Sequence, residues 1–214
     1  MKLKLTAVAA VVVLMAACGK KEEAAPVAAA PAASAPAPAA APAGGELIVK
    51  IGHVAPLSGA QAHYGKDNEN GVRMAIEDLN KQGFEIGGKK AKFEIVAEDD
   101  AADPKQGTAA AQKLCDAKVA GVVGHLNSGT TIPASKVYND CGIPHVTGAA
   151  TNPDLTKPAY KTTYRIIAND LALGSGLAFY AADTLKLKKV AVIDDRTAYG
   201  QGVADIFKKT AKEK

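Results

Sequence analysis

From Leu47 onward the sequence alternates short apolar runs with longer amphipathic stretches, and this alternation constrains the fold more than any other feature. Leu47 to Val54 (LIVKIGHV) reads as a buried strand. Val72, Ala75, Ile76 and Leu79 recur at helical spacing and predict a helix over Tyr64 to Gln82, stopped by Gly83. Gly87-Gly88 turns the chain into a second strand, Lys92 to Ala97. Asp103-Pro104 supplies an N-cap and a first-turn proline for a helix reaching about Lys118. Val119 to Gly124 (VAGVVG) is a short apolar strand, and Ile132 to Cys141 a helix stopped by Gly142. Strands follow at Pro144 to Thr147 and Tyr160 to Ile167, then a helix over Asp170 to Leu187. Lys189 to Asp194 (KVAVID) reads as another strand, and a helix runs from Tyr199. Strand and helix in strict alternation imply an α/β fold: a doubly wound, mostly parallel sheet with helices on both faces. The chain stops at Lys214 inside that last helix, where the architecture calls for a further strand, so a fragment of a longer protein is expected.

The N-terminal part sets the compartment. Lys2 and Lys4 precede an uncharged, largely apolar run from Leu5 to Ala17. Its length falls short of the roughly 20 apolar residues of a spanning helix. It fits a secretory signal peptide over residues 1–17, with Ala16-Ala17 directly before Cys18. A cysteine at that point forms a lipobox, with Cys18 acylated as the mature N-terminus; Met15 stands where leucine is commoner. The other reading is an ordinary signal peptide with an incidental cysteine. Residues 18–45 then hold the lipid-bearing cysteine and an Ala/Pro-rich tether. Repeated proline forbids a continuous helix there, and at about 3.1 Å per residue the tether reaches roughly 80 Å. A stalk of that length suits a domain anchored to a membrane only by lipid and working on its extracytoplasmic side.

With Cys18 assigned to the lipid, Cys115 and Cys141 remain for an oxidising compartment. In a doubly wound sheet the second and third crossover helices lie side by side on one face. Each cysteine falls near the C-terminal end of one of these helices, which brings the pair to one sheet edge. Both a disulfide and two separate buried thiols fit that placement.

Charge and motifs exclude more than they assign. Without residues 1–17 the chain carries 24 basic against 22 acidic residues, scattered and without tryptophan, which argues against nucleic-acid binding. The loop after the first strand (Pro56 to Lys66) imitates a phosphate-binding loop. Its glycines, Gly59 and Gly65, stand one residue too far apart, and Asp67 follows where a hydroxyl would hold magnesium. His53, His63, His125 and His145 are widely separated and show no metal-ligand spacing, so His53 and His125 read as structural histidines. No nucleophile elbow is present, and neither an enzyme nor a cofactor is expected.

Ligands of open α/β sheets bind beyond the carboxyl ends of the strands. Two loops there are polar but unreactive. Gly124 to Thr131 (GHLNSGTT) offers helix-start amides and small hydroxyls, a natural carboxylate site. Thr147 to Pro153 (TGAATNP) adds carbonyls and another hydroxyl. On spacing alone, both read more readily as ordinary capped turns.

The segments GHLNSGTTIPAS (Gly124 to Ser135), GAATNP (Gly148 to Pro153), DDAADPKQ (Asp99 to Gln106) and DDRTAYGQG (Asp194 to Gly202) resemble the Leu/Ile/Val-binding family of type I periplasmic binding proteins. APLSGAQAHYG (Ala55 to Gly65) and GVRMAIEDLN (Gly71 to Asn80) match it too, in the correct order. The resemblance covers residues 47–214 and implies a two-lobed clamshell on a hinge, with residues 46–167 in the first lobe and 168–214 opening a truncated second lobe. It implies that the Ser128 hydroxyl and nearby amides bind a ligand carboxylate. Thr151 would contact carboxylate and ammonium, and the Ala149 carbonyl the ammonium. Tyr64 would line the rim, and Tyr199 close over the ligand. The family's acidic second-lobe residue has no matching position, and Ala102 and Asn127 stand where some relatives carry a disulfide. The implied activity is capture of an amino acid, branched-chain in the family's type members, for the membrane permease of an ABC importer. A ligand-sensing receptor module of the same fold is the alternative.

Overall fold

The computed structural model describes residues 45–214; the leader, Cys18 and the tether lie outside the described residues. At its centre β1 (Leu47–Ala55) runs parallel to β3 (Lys89–Asp99) on one side and to β4 (Gly121–Gly124) on the other. The six-stranded sheet continues through β5 (His145–Thr147) to β6 (Thr163–Arg165), and β2 (Glu85–Ile86) adds an antiparallel hairpin edge to β3. The chain steps outward from β1 to β3, then passes back over β1 to reach β4. That reversal sets the topological switch point at the carboxyl ends of β1 and β4.

The carboxyl half of β1, Gly52 to Ala55, is buried on both faces, so no residue of that stretch faces solvent, whereas Lys50 near its start is exposed. Val54 packs with Ala111, Leu114, Val122 and Tyr138 beneath α2 (Pro104–Asp116) and α3 (Ser128–Cys141). His53 turns toward α1 (Ala62–Gln82), where Glu69 and Arg73 act on its ring. The two helices approach closely because Gly107 carries no Cβ; one would stand 2.9 Å from Thr130 Cβ. Their caps are local. Asp103 Oδ1 accepts from the amides of Lys105 and Gln106, both at 2.9 Å, and α1 ends on Gly83 in the left-handed region. At the edge away from the strands' carboxyl ends, α2 and α3 bring Cys115 and Cys141 to disulfide-bonding distance, with Cα atoms 6.2 Å apart.

Three sequence expectations need correction. Helix α3 begins at Ser128, four residues before the expected Ile132, and carries Pro133 inside it. The cost of an interior proline, about 3 kcal/mol, is offset by burial of Thr131, Ala134, Ser135 and Tyr138 on the sheet-facing side. The helix expected over Asp170 to Leu187 is α4 (Asp170–Phe179) followed by one π-helical turn at Tyr180–Thr184. Lys189 to Asp194 forms no strand. A strand's amides and carbonyls need a partner strand, and none lies beside this segment among the described residues. Its apolar side chains stay exposed, Ile193 at 92%. The final helix, α5 (Ala198–Lys212), packs on α4 where Gly174 meets Ile206 and the Ser175 and Thr210 hydroxyls stand 3.1 Å apart.

Candidate functional site

Four loops meet at the switch point, those after β1, β3, β4 and β5, each fixed from behind by polar side chains. After β3, Asp99 Oδ1 accepts from the amides of Leu57 and Ala101, both at 2.8 Å, joining the loop after β1 to the loop after β3. Burial pushes the Asp99 carboxyl up, but Ser58 and the amides of Ala101 and Leu57 outweigh it and hold the group below its usual range. Asp100 next to it is fully buried, and its carboxylate faces His125 Nδ1 at 3.1 Å. The other ring nitrogen of His125 lies 2.9 Å from the Tyr138 hydroxyl. Burial raises the Tyr138 pKa, so that hydroxyl stays protonated and meets Nε2 as a neutral partner, while Nδ1 faces the Asp100 carboxylate. His125 is thus a structural group that pins the end of β4, as is His53, whose Nδ1 donates to the Val123 carbonyl at 2.9 Å. Among the described residues no set of three His, Cys, Asp or Glu side chains could hold a metal ion.

The start of α3 uses its hydroxyls differently from the sequence expectation. The hydroxyls of Thr130 and Thr131 donate back to the Asn127 carbonyl at 3.0 and 2.7 Å and are buried. They are spent on the helix. Their amides also donate to Asn127, which leaves the N–H groups of Ser128 and Gly129 without an intrahelical acceptor at the positive end of the helix. Ser128 Oγ accepts from the Asn152 amide at 3.2 Å, so its own proton stays available to an acceptor. The loop after β5 is shaped by Thr147, whose hydroxyl donates to the His125 carbonyl and accepts from the amides of Ala149 and Ala150.

These loops border a cleft of about 750 Å³. Ser128, Ala149 and Thr151 line it, Tyr64 stands on one side from α1, and Tyr199 on the other from α5. The structure thereby brings together all five residues singled out as ligand contacts. Tyr64 and Tyr199 remain 60% and 43% exposed on the two sides of the cleft. The cleft also contains polar residues that sequence reasoning missed. Asn127 Nδ2 donates to Gln61 Oε1 at 2.7 Å between the starts of α3 and α1, and Arg196 enters from the loop before α5. Asn152 was legible only as part of a motif. Its side chain donates to the Ala198 carbonyl at 2.6 Å and caps the turn at Asp154, while its own carbonyl accepts from Arg165. It is the polar strut between the sheet loops and α5.

Behind Thr151 lies Asp170, the first residue of α4, which is 1% exposed. Burial pushes its carboxyl above the usual range, opposed by the Thr151 hydroxyl and the Arg165 charge. Thr151 Oγ1 and both Asp170 oxygens nevertheless lack a partner at hydrogen-bond geometry.

A doubly wound sheet whose switch-point loops border a cleft, closed from outside by a helix that follows the sheet, defines a ligand-capturing architecture. The periplasmic binding protein family model matches residues 48–214, and the chain belongs to this family. It is 43% identical over 158 residues to an amino acid binding protein of Pseudomonas aeruginosa, covering 73% of this chain and 41% of that protein. It is 41% identical over 162 residues to a Leu/Ile/Val-binding protein of Rhizobium johnstonii, covering 76% and 43%. Among solved structures, a leucine-binding protein of Thermotoga maritima superposes with a TM-score of 0.69 at 26% identity, over 77% of this chain and 46% of that one. A branched-chain amino acid transporter substrate-binding protein of Streptococcus pneumoniae, in complex with isoleucine, gives 0.69 at 28% identity, over 78% and 47%. The chain spans less than half the length of each of these relatives.

Proposed function

We propose that the protein binds an amino acid, of the branched-chain class, outside the cytoplasm and delivers it to the permease of an ABC importer. One observation carries this reading. The cleft sets the free amides of Ser128 and Gly129 and the Ser128 proton on one wall, suited to a carboxylate, beside the Ala149 and Thr151 backbone and hydroxyl, suited to an ammonium. An α-amino acid presents these two groups side by side. The named ligands of similar proteins, leucine, isoleucine and valine, support the same class. The role is binding, with no catalytic step. Acylation of Cys18 holds the domain to the membrane, with the residue 18–45 tether as its leash. Residues 46–167 act as the first lobe and 168–214 as the start of the second.

The test is a thermal-shift screen of the full-length mature protein against the twenty amino acids. A ligand at 100 times its Kd adds about 2.7 kcal/mol of stability. A rise with leucine, isoleucine or valine that disappears in the Ser128→Ala, Thr151→Ala double variant is the expected result. A flat response to every amino acid overturns the reading. An aromatic acid is the specific competitor, because a similar solute-binding protein of Rhodopseudomonas palustris was solved with 3,4-dihydroxybenzoic acid, and a response to it alone would move the ligand class there. For the anchor, labelled palmitate incorporated in cells by the wild type should be lost in Cys18→Ala.

A further inference from the structure

Asp170 is a buried acid without a hydrogen-bond partner, and it lies outside the lining of the cleft. Its residue is 1% exposed, and neither oxygen makes a hydrogen bond. An anion left in that state is costly, and proteins keep such groups where another charge arrives. Two neighbours act on it, the Arg165 guanidinium from β6 and the Thr151 hydroxyl. Arg165 is committed elsewhere: one guanidinium nitrogen donates to the Asn152 carbonyl at 3.1 Å, the other to Thr156 Oγ1. Thr151 is not committed. Its hydroxyl is buried and unpartnered, although Thr151 lines the cleft. The two residues are locked together through the backbone, since the Asp170 amide donates to the Thr151 carbonyl at 3.0 Å. The Thr151 hydroxyl is near enough to act on the Asp170 carboxyl, yet neither group is held by another side chain.

Resting on the amino-acid reading above, we propose that Asp170 is a positioning residue that acts on the ligand ammonium through Thr151. The Thr151 hydroxyl donates its proton to the Asp170 carboxylate, which turns the oxygen's lone pairs toward the cleft. An ammonium there donates to Thr151 Oγ1, and the negative charge one bond further back neutralises it. A hydroxyl alone is indifferent between donating and accepting; a carboxylate behind it makes it an acceptor. The cleft would then distinguish an amino acid from a carboxylic acid of the same shape using an acid that does not itself line the cleft.

The experiment measures the affinity of the full-length protein for L-leucine and for 4-methylpentanoate, the same molecule without its amino group. Asp170→Asn keeps the shape and removes the charge. The expected result is a loss of roughly tenfold or more for leucine with 4-methylpentanoate within about twofold of wild type. A purely structural role would weaken both ligands by the same factor, and that outcome overturns the proposal, as does unchanged leucine binding. Thr151→Val guards against a variant that misfolds: in its background Asp170→Asn should cost nothing further for leucine, because the relay is already cut. Additive losses in the double variant also overturn the proposal. Should wild type respond to no amino acid at all, the functional reading itself fails, and this inference falls with it.

Discussion

Residues 47–165 and residues 170–212 were built from the same kind of sequence, yet one region closes a core and the other leaves its apolar side chains in solvent. In the first, Leu114, Ala111 and Val54 are fully buried between sheet and helices. In the second, Leu177, Val190, Val192 and Phe207 border an open groove of about 630 Å³, and the KVAVID segment pairs with no strand among the described residues. The difference lies in neighbours. A buried parallel strand is stable only when strands flank it and helices cover it, and β1 has all four. Apolar character is a request for such neighbours. It does not supply them.

The largest contrast should appear in stability. In urea unfolding of the chain ending at Lys214, Leu114→Ala removes a fully buried side chain under α2 and is expected to cost about 2–5 kcal/mol, whereas Ile193→Ala should stay within about 0.5 kcal/mol. Equal costs would mean that the second region packs as tightly as the first. Next comes the α2–α3 staple. If Cys115 and Cys141 are bonded, the bridge spans 26 residues, and replacing both with alanine should lower stability by about 3 kcal/mol without altering the cleft. Two free thiols titrated in the unfolded, unreduced protein would overturn the bond.

The smallest effect depends on pH. His145 is fully buried on β5 with both ring nitrogens unpartnered, and burial, with a smaller contribution from the neighbouring His125 ring, pushes its pKa down to about 4. The unfolded chain therefore binds this proton first as pH falls below the ordinary value of 6.5. Stability from this group is complete above that value and is lost as pH drops toward 4, by at most roughly 3 kcal/mol and only part of that at pH 5.5. Urea midpoints at pH 7.5 and 5.5 should differ in wild type and converge in His145→Gln. A convergence absent from that variant would assign the acid sensitivity to other groups.

Much of this was legible from the chain alone. The apolar runs of β1 and β4 and the Asp103-Pro104 start of α2 are local signals, and the structure follows them. The site residues Ser128, Ala149, Thr151, Tyr64 and Tyr199 came through resemblance, because loops of Gly, Ala and Thr carry no periodicity. The start of α3 was not legible: Ser128-Gly129-Thr130-Thr131 reads as a loop, and only burial of that turn makes it a helix. The Asp100–His125–Tyr138 chain joins residues 25 and 13 positions apart, and no window along the sequence contains that proximity. Asp170 looked like an ordinary helix-start acid. What marks it is the absence of partners around it, which is a property of the fold.

Asn152 has a consequence of its own. It follows Thr151 directly in the chain, yet its side chain grips the first turn of α5, at Ala198, one residue before Tyr199. The strut and the cleft-lining Thr151 therefore share a single peptide plane, and the start of α5 is tied to the loop after β5 across only one residue. If the proposed ligand seats on Thr151, a substitution at position 152 is expected to unfasten α5 from that loop without removing any residue that lines the cleft.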